Sequence, residues 1–236
     1  MTVVERNNVW VLEDAAKCIQ PTYKGNALGS IGHLGAYSFH ETKNISSGEG
    51  GALLIGKAEF ASRADIIRQK GTNRDEFLNG KADKYTWQDI GSSYLPSELT
   101  AAFLWAQLQN SHIITNQRLE DWHRYHTMIE PLEAGGYLRR PVVPRHCEHN
   151  GHMYYVLLSE RADRSRVISQ LKKNKIFAAF HYVPLHSSPA GKRYCRTSGS
   201  MMVTNMQSAR LIRLPMWMGL SEMQQDNVVR ILSECI

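Results

Sequence analysis

The sequence predicts an α/β protein: a large domain with a mostly parallel sheet and helices, then a small C-terminal α/β domain. Three observations predict it. The apolar runs Val9-Trp10-Val11-Leu12 and Ala52-Leu53-Leu54-Ile55 have the composition of strands buried on both faces. Between such runs, apolar residues recur at helical spacing, as at Phe60, Ala61, Ala64, Ile66 and Ile67. Beyond Pro131 and the Gly135-Gly136 turn, a strand–helix–strand order starts afresh, which sets the domains at 1–130 and 131–236.

Val3 to Leu12 reads as a helix end, a turn at Asn7-Asn8 and a buried strand finishing on Glu13 and Asp14. In a parallel sheet, functional groups collect at such carboxyl edges. Tyr23 to Asn26, with Gly29, Gly32 and Gly35, is turn material flanked by short extended segments. Ala36 to Phe39 is a strand delivering Ser38 and His40, and Gly50 to Gly56 is a short buried strand. A helix spans 57–69 with Gly71 as its terminal glycine, and a polar loop covers 72–84. Ser97 caps a helix whose apolar stripe is Leu99, Ala102, Phe103, Ala106 and Leu108. A second helix, 116–130, stops at Pro131. The C-terminal domain reads as a strand at 153–158, a helix at 164–173 entered from Asp163, and a strand at 176–183. Asn205 is expected to cap a helix running to Ile212, and Ser221 the last helix, 222–232.

Two stretches carry chemistry. Ser38-Phe39-His40-Glu41-Thr42-Lys43-Asn44 sets a lysine in a polar turn closed by Gly48-Glu49-Gly50-Gly51, and Glu13-Asp14-Ala15-Ala16 sets two acids at a strand end. Pyridoxal phosphate (PLP) chemistry requires such groups: a lysine that holds the cofactor aldehyde as a Schiff base and an acid for the pyridinium nitrogen. For paired acids the alternative is a helix N-cap, which suits Glu13. These stretches resemble the DegT/DnrJ/StrS family of PLP-dependent sugar aminotransferases, whose signature is similar to E-D-A-A, S-F-H-x-x-K-N and G-E-G-G in that order. The likeness extends through Lys70 to Arg74, Lys84 to Trp87, Asp89 to Leu95 and Phe180 to His186.

The resemblance implies a partial fold type I large domain and assigns residues by position. Lys43 joins the cofactor and carries the proton, Asp14 pairs with the ring nitrogen, and Ser38 binds phosphate. Lys17 stands where the family usually has Gln or His, and either pairs with phosphate or points to solvent. His40 lies near cofactor or substrate, or is a turn histidine. Tyr85 and Trp87 pack on a sugar or base, or in the core. His186 faces the substrate. The reaction implied converts a dTDP-4-keto-6-deoxyhexose to dTDP-4-amino-4,6-dideoxygalactose with L-glutamate as amino donor. It would serve surface polysaccharide synthesis, such as lipopolysaccharide or enterobacterial common antigen. Family members are homodimers, but the Asn and Arg that reach the partner's phosphate are replaced here by Ser93 and Leu95. Family subunits begin with a helix, strands and a phosphate-binding segment ahead of the acid-bearing strand. The resemblance therefore implies an N-terminal truncation, and the rival reading is an inactive remnant that folds only with a partner chain.

Composition narrows the rest. With 42% apolar and 21% charged residues the chain is of ordinary globular type. The net charge of +6 is scattered, which fits a solvated basic surface rather than nucleic-acid binding. No long apolar run predicts a membrane span, and residues 1–10 lack the apolar core of a signal peptide. Cys18, Cys147, Cys195 and Cys235 show no paired spacing, so reduced thiols in a cytoplasmic protein are expected. The stretch His146-Cys147-Glu148-His149-Asn150-Gly151-His152 looks metal-like. The family has no metal there, so none is expected.

Overall fold

The computed structural model describes residues 2–236. Its strands are β1 (Leu12–Asp14), β2 (Thr22–Tyr23), β3 (Asn26–Ala27), β4 (Leu34–Ser38), β5 (Gly51–Ile55), β6 (Leu138–Arg139), β7 (Cys147–Glu148), β8 (Tyr154–Leu158) and β9 (Leu211–Leu214). Its helices are α1 (Thr2–Arg6), α2 (Ala61–Arg68), α3 (Arg74–Leu78), α4 (Glu98–Gln109), α5 (Ser111–Met128), α6 (Glu130–Ala134), α7 (Arg164–Lys173), α8 (Pro189–Tyr194), α9 (Met202–Arg210) and α10 (Glu222–Cys235). Contacts group the chain into two units, Met1–Ile114 with Pro144–Asn150, and Thr115–Val143 with Gly151–Ile236. This grouping differs from the expected division at 130/131 because α5 is shared and 144–150 returns to the first unit.

In the first unit, α1 ends where Asn8 takes φ +54° and the Asn7 amide donates to the Val3 carbonyl at 2.7 Å. Asparagine tolerates this left-handed turn better than most residues. β4 is central to a three-stranded sheet. β1 runs parallel to it, with Leu12 beside Leu34, Glu13 beside Gly35 and Asp14 beside Ala36. β5 runs antiparallel, from Leu34 opposite Ile55 to Ser38 opposite Gly51. The antiparallel partner follows from its connection: the chain returns through the turn at 39–50 without the long crossover a parallel neighbour needs. Both outer strands depart from expectation. Val9, Trp10 and Leu12 are exposed, and β5 is exposed except for half-buried Leu54. The apolar runs mark strands correctly, but each lies at an edge rather than in the centre.

The second sheet is β3-β2-β7. The metal-like stretch contributes β7, fastened by Thr22 Oγ1 donating to Glu148 Oε2 at 2.7 Å and Lys24 N to the His146 carbonyl at 2.7 Å. Among the described residues no cluster of His, Cys, Asp and Glu is placed to hold a metal ion. α4 starts at Ser97, whose hydroxyl accepts from Thr100 N, and none of its residues is buried. The loop at 72–84 contains α3, tied to α2 by Arg68 and Asp75 at 2.9 Å.

The second unit holds the larger core. Trp122, Tyr125, Tyr154, Val156, Leu158, Leu171, Ile212 and Leu232 are buried together where α7 and α10 meet β6-β8-β9. α7 is entered from Asp163, whose Oδ1 accepts from Ser165 N and Arg166 N, and α10 opens with a full Ser221–Gln224 capping box. The expected strand at 176–183 does not form. Lys175 and Tyr182 take φ +61° and +52°, which breaks the extended path, and a single bridge joins Ala179 to Arg213. β9 takes its place, with Ile212 and Leu214 buried in strand alternation. Asn205 is therefore inside α9, not its cap, and the helix is entered from left-handed Met201. α5 begins earlier than expected, and Pro131 sits in the first turn of α6, where proline is tolerated, instead of ending the chain's helical run. No helix among the described residues is long and apolar enough to cross a membrane.

Candidate active site

Because β1 and β4 are parallel, their carboxyl ends lie side by side. Asp14 is level with Ala36, and Ser38 is two residues further along β4, so Asp14 and Ser38 share one face of the sheet. Asp14 Oδ1 accepts from Ala16 N at 3.2 Å and starts a turn closed by Cys18 N donating to the Ala15 carbonyl at 2.9 Å. Burial pushes the Cys18 thiol up, and the Asp14 and Glu13 carboxylates add to the rise against an opposing hydrogen bond at the Lys17 backbone.

Glu13 points to the opposite face and is no helix cap. Its carboxylate accepts from Gly29 N, Ile31 N and Gly32 N at 2.8, 2.7 and 2.5 Å. This clamps the loop at 29–32 against β4, so closely that a Cβ on Gly35 would lie 2.0 Å from the Gly29 carbonyl oxygen. Tyr37 adds a bond from its hydroxyl to the Leu28 carbonyl at 2.8 Å.

The lysine turn is a hairpin. Phe39 N donates to the Gly50 carbonyl, Ser47 N to the Phe39 carbonyl, and Lys43 N to the His40 carbonyl, at 2.8 to 2.9 Å. Phe39 and Ile45 are buried and anchor it. Gly50 needs its bare backbone: φ is +151°, and a Cβ would meet Ser47 Oγ at 2.7 Å. Ser38 Oγ accepts from His40 N at 3.3 Å. His40 is engaged in its own turn, with Nδ1 2.9 Å from Thr42 Oγ1 and Nε2 3.7 Å from Glu49. Lys43 is half-buried, and among the described residues its ammonium has no hydrogen bond or ion pair.

The remaining site residues fall in different places. Lys17 is exposed, and its carbonyl accepts from Asn150 Nδ2 at 2.8 Å. Tyr85 and Trp87 are exposed rather than core residues. The Tyr85 ring lies 5.6 Å from Phe77, and Trp87 Nε1 donates to the Asp89 carbonyl at 2.6 Å. His186 belongs to the second unit, in a short turn at Leu185–Ser187, with Nε2 2.9 Å from Asn205 Oδ1. Asn150 was not foreseen. It is buried, its side chain meets the turn after Asp14, and its carbonyl accepts from Asn44 Nδ2 at 2.8 Å.

Residues 1–233 match the DegT/DnrJ/EryC1/StrS aminotransferase family. The chain belongs to that family. Its aminotransferases use pyridoxal phosphate, and their fold is fold type I. An uncharacterized protein of Methanocaldococcus jannaschii is 29% identical over 96% of this chain and 59% of its own length. A GDP-perosamine synthase of Caulobacter vibrioides is 26% identical over 100% of this chain and 61% of its own. A solved family aminotransferase from Brucella abortus is 26% identical, with a TM-score of 0.83 over 99% of this chain and 59% of that one. The chain thus spans about three fifths of the length of these relatives.

Proposed function

We propose that this chain carries the cofactor-binding lysine of a PLP-dependent aminotransferase acting on a nucleotide-linked keto-sugar. One observation carries the reading. The half-buried Lys43 amine, which has no hydrogen bond or ion pair among the described residues, sits on a hairpin that springs from the sheet edge where Asp14 and Ser38 share a face. The residues present fit the cofactor. Asp14 Oδ2 accepts no hydrogen bond among the described residues, so it can accept from a pyridinium N–H. The Ser38 hydroxyl hydrogen has no acceptor among them, so it can donate to a phosphate oxygen. PLP, when bound, supplies the electron sink for bond breaking at the amino-bearing carbon. Lys43 Nζ holds the cofactor and then moves the proton to and from that carbon. By the family positions, Lys17 would serve the phosphate, and Tyr85, Trp87 and His40 the sugar.

The finer reading is amination of a dTDP-4-keto-6-deoxyhexose by L-glutamate, giving dTDP-4-amino-4,6-dideoxygalactose for surface polysaccharide, in a homodimer. The branch-like stretches from Lys70 to Leu95 and at Phe180 to His186 support it. Likeness to a GDP-perosamine synthase supports a nucleotide-linked amino sugar as the product class. The test is reconstitution with PLP, followed by dTDP-, UDP- and GDP-linked keto-sugars with L-glutamate. A visible absorbance band that Lys43→Ala abolishes, with 2-oxoglutarate formed only with the dTDP sugar, is expected. A band unchanged in Lys43→Ala refutes the lysine assignment, and preference for another nucleotide refutes the finer reading.

A further inference from the structure

We infer that Asn150 is a positioning residue that sets the spacing between the acid-bearing strand end and the lysine turn. The inference rests on the assignment of Asp14 and Lys43 made above. Asn150 is 5% exposed. Its Nδ2 donates to the Lys17 carbonyl at 2.8 Å and the Ile19 carbonyl at 3.2 Å, in the segment that follows directly from Asp14. Its own carbonyl accepts from Asn44 Nδ2 at 2.8 Å, one residue from Lys43. One buried residue therefore touches both segments that must meet a single ring, the first through its side-chain amide and the second through its main-chain carbonyl. β7 delivers it, and β7 is paired to β2, whose first residue lies three beyond Ile19. The bridge therefore hangs from a strand ladder rather than from a free loop.

The chemistry demands a primary amide of this length. Two carbonyls of one turn need two N–H donors from one nitrogen. Aspartate has the length but would set a charge against both carbonyl oxygens, and leucine would leave these part-buried oxygens without their donor. Because the link has two halves, Asn44 donating to Asn150 and Asn150 donating to the 17–19 turn, loss of either half uncouples the same two segments.

The experiment compares Asn150→Ala, Asn150→Asp, Asn44→Ala and the Asn44→Ala/Asn150→Ala double variant. Thr22→Ala serves as a control, since it removes a bond within the β2–β7 ladder but touches neither segment. PLP affinity, the pH titration of the bound cofactor's visible band, melting temperature, and hydrogen exchange of the cofactor-free protein are measured. Each Asn variant is expected to weaken PLP about tenfold and to move the band's titration. The double variant is expected to be little worse than either single one, because the halves act in series. Exchange should quicken at both 15–19 and 43–47. Thr22→Ala should lower the melting temperature and leave affinity and titration at wild-type values. Wild-type affinity and titration in Asn150→Ala, with only the melting temperature lowered, overturns the proposal. If that variant does not fold, Asn44→Ala breaks the link from the other side, and wild-type values there overturn it equally. A band that persists in Lys43→Ala defeats the functional assignment instead, while exchange at the two segments still decides whether Asn150 couples them.

Discussion

Glu13 offers the sharpest mechanical test of the site. Its carboxylate holds three backbone amides, those of Gly29, Ile31 and Gly32, at 2.8, 2.7 and 2.5 Å. Hydrogen bonds to a charged acceptor contribute about 1.5–3 kcal/mol each, but three on one carboxylate do not add, and water reaches a half-buried site. Glu13→Ala is therefore expected to cost about 3 kcal/mol of local stability, and Glu13→Gln, which keeps one acceptor oxygen, about 2 kcal/mol. In native-state hydrogen exchange, 3 kcal/mol corresponds to roughly a hundredfold faster exchange at those three amides. Since the clamped loop lies on β4 at Gly35, beside Glu13 in the ladder, Asp14 should lose its aim and PLP affinity should fall with it. If Glu13→Ala raises exchange at Gly29, Ile31 and Gly32 by less than about threefold, the carboxylate does not hold the loop and the reasoning fails.

Gly35→Ala should be worse than its size suggests. The new methyl would lie 2.0 Å from the Gly29 oxygen, so the loop must move, at a cost above about 2 kcal/mol in thermal melts and with weaker PLP binding. Ser221→Ala removes the bond from Gln224 N at 3.2 Å and should cost about 1 kcal/mol by denaturant titration without altering PLP affinity. His126 is stacked 4.7 Å from Trp122, and burial, then the Arg140 charge, holds it below its ordinary value of 6.5. The unfolded chain then binds a proton that the folded one refuses, so stability is full above pH 6.5 and falls as the pH drops below it. His126→Phe should flatten that slope in melts across pH 5 to 7, whereas an unchanged slope would assign it to other groups.

Local signals were the legible part. Ser97, Asp163 and Ser221 cap the helices assigned to them because a cap is decided within four residues. The strand-end acids and the lysine turn stood out because both need unusual neighbours: small residues after Asp14, and glycines after Lys43. What depends on distant partners was hidden. An apolar run announces a strand but not its neighbours, so β1 and β5 read as buried and proved to be exposed edges. Phe177 to Val183 has strand composition, yet β8 pairs with Leu211–Leu214 instead. Asn150 gave no signal, because its partner Lys17 lies 133 residues away and any polar residue in that histidine-rich stretch would have looked alike.

The route of the chain through β7 has a consequence for how the protein is made. The first unit is left at Ile114 and revisited only at Pro144–Asn150. A ribosome that has released everything up to residue 130 has exposed Asp14, Ser38 and Lys43, but not β7, the second ladder partner of β2, or the amide beside Lys17. A gene cut at that point would yield the side chains proposed to hold the cofactor without the Asn150 bridge, and co-translational closure of this half must wait for residue 150 to clear the exit tunnel.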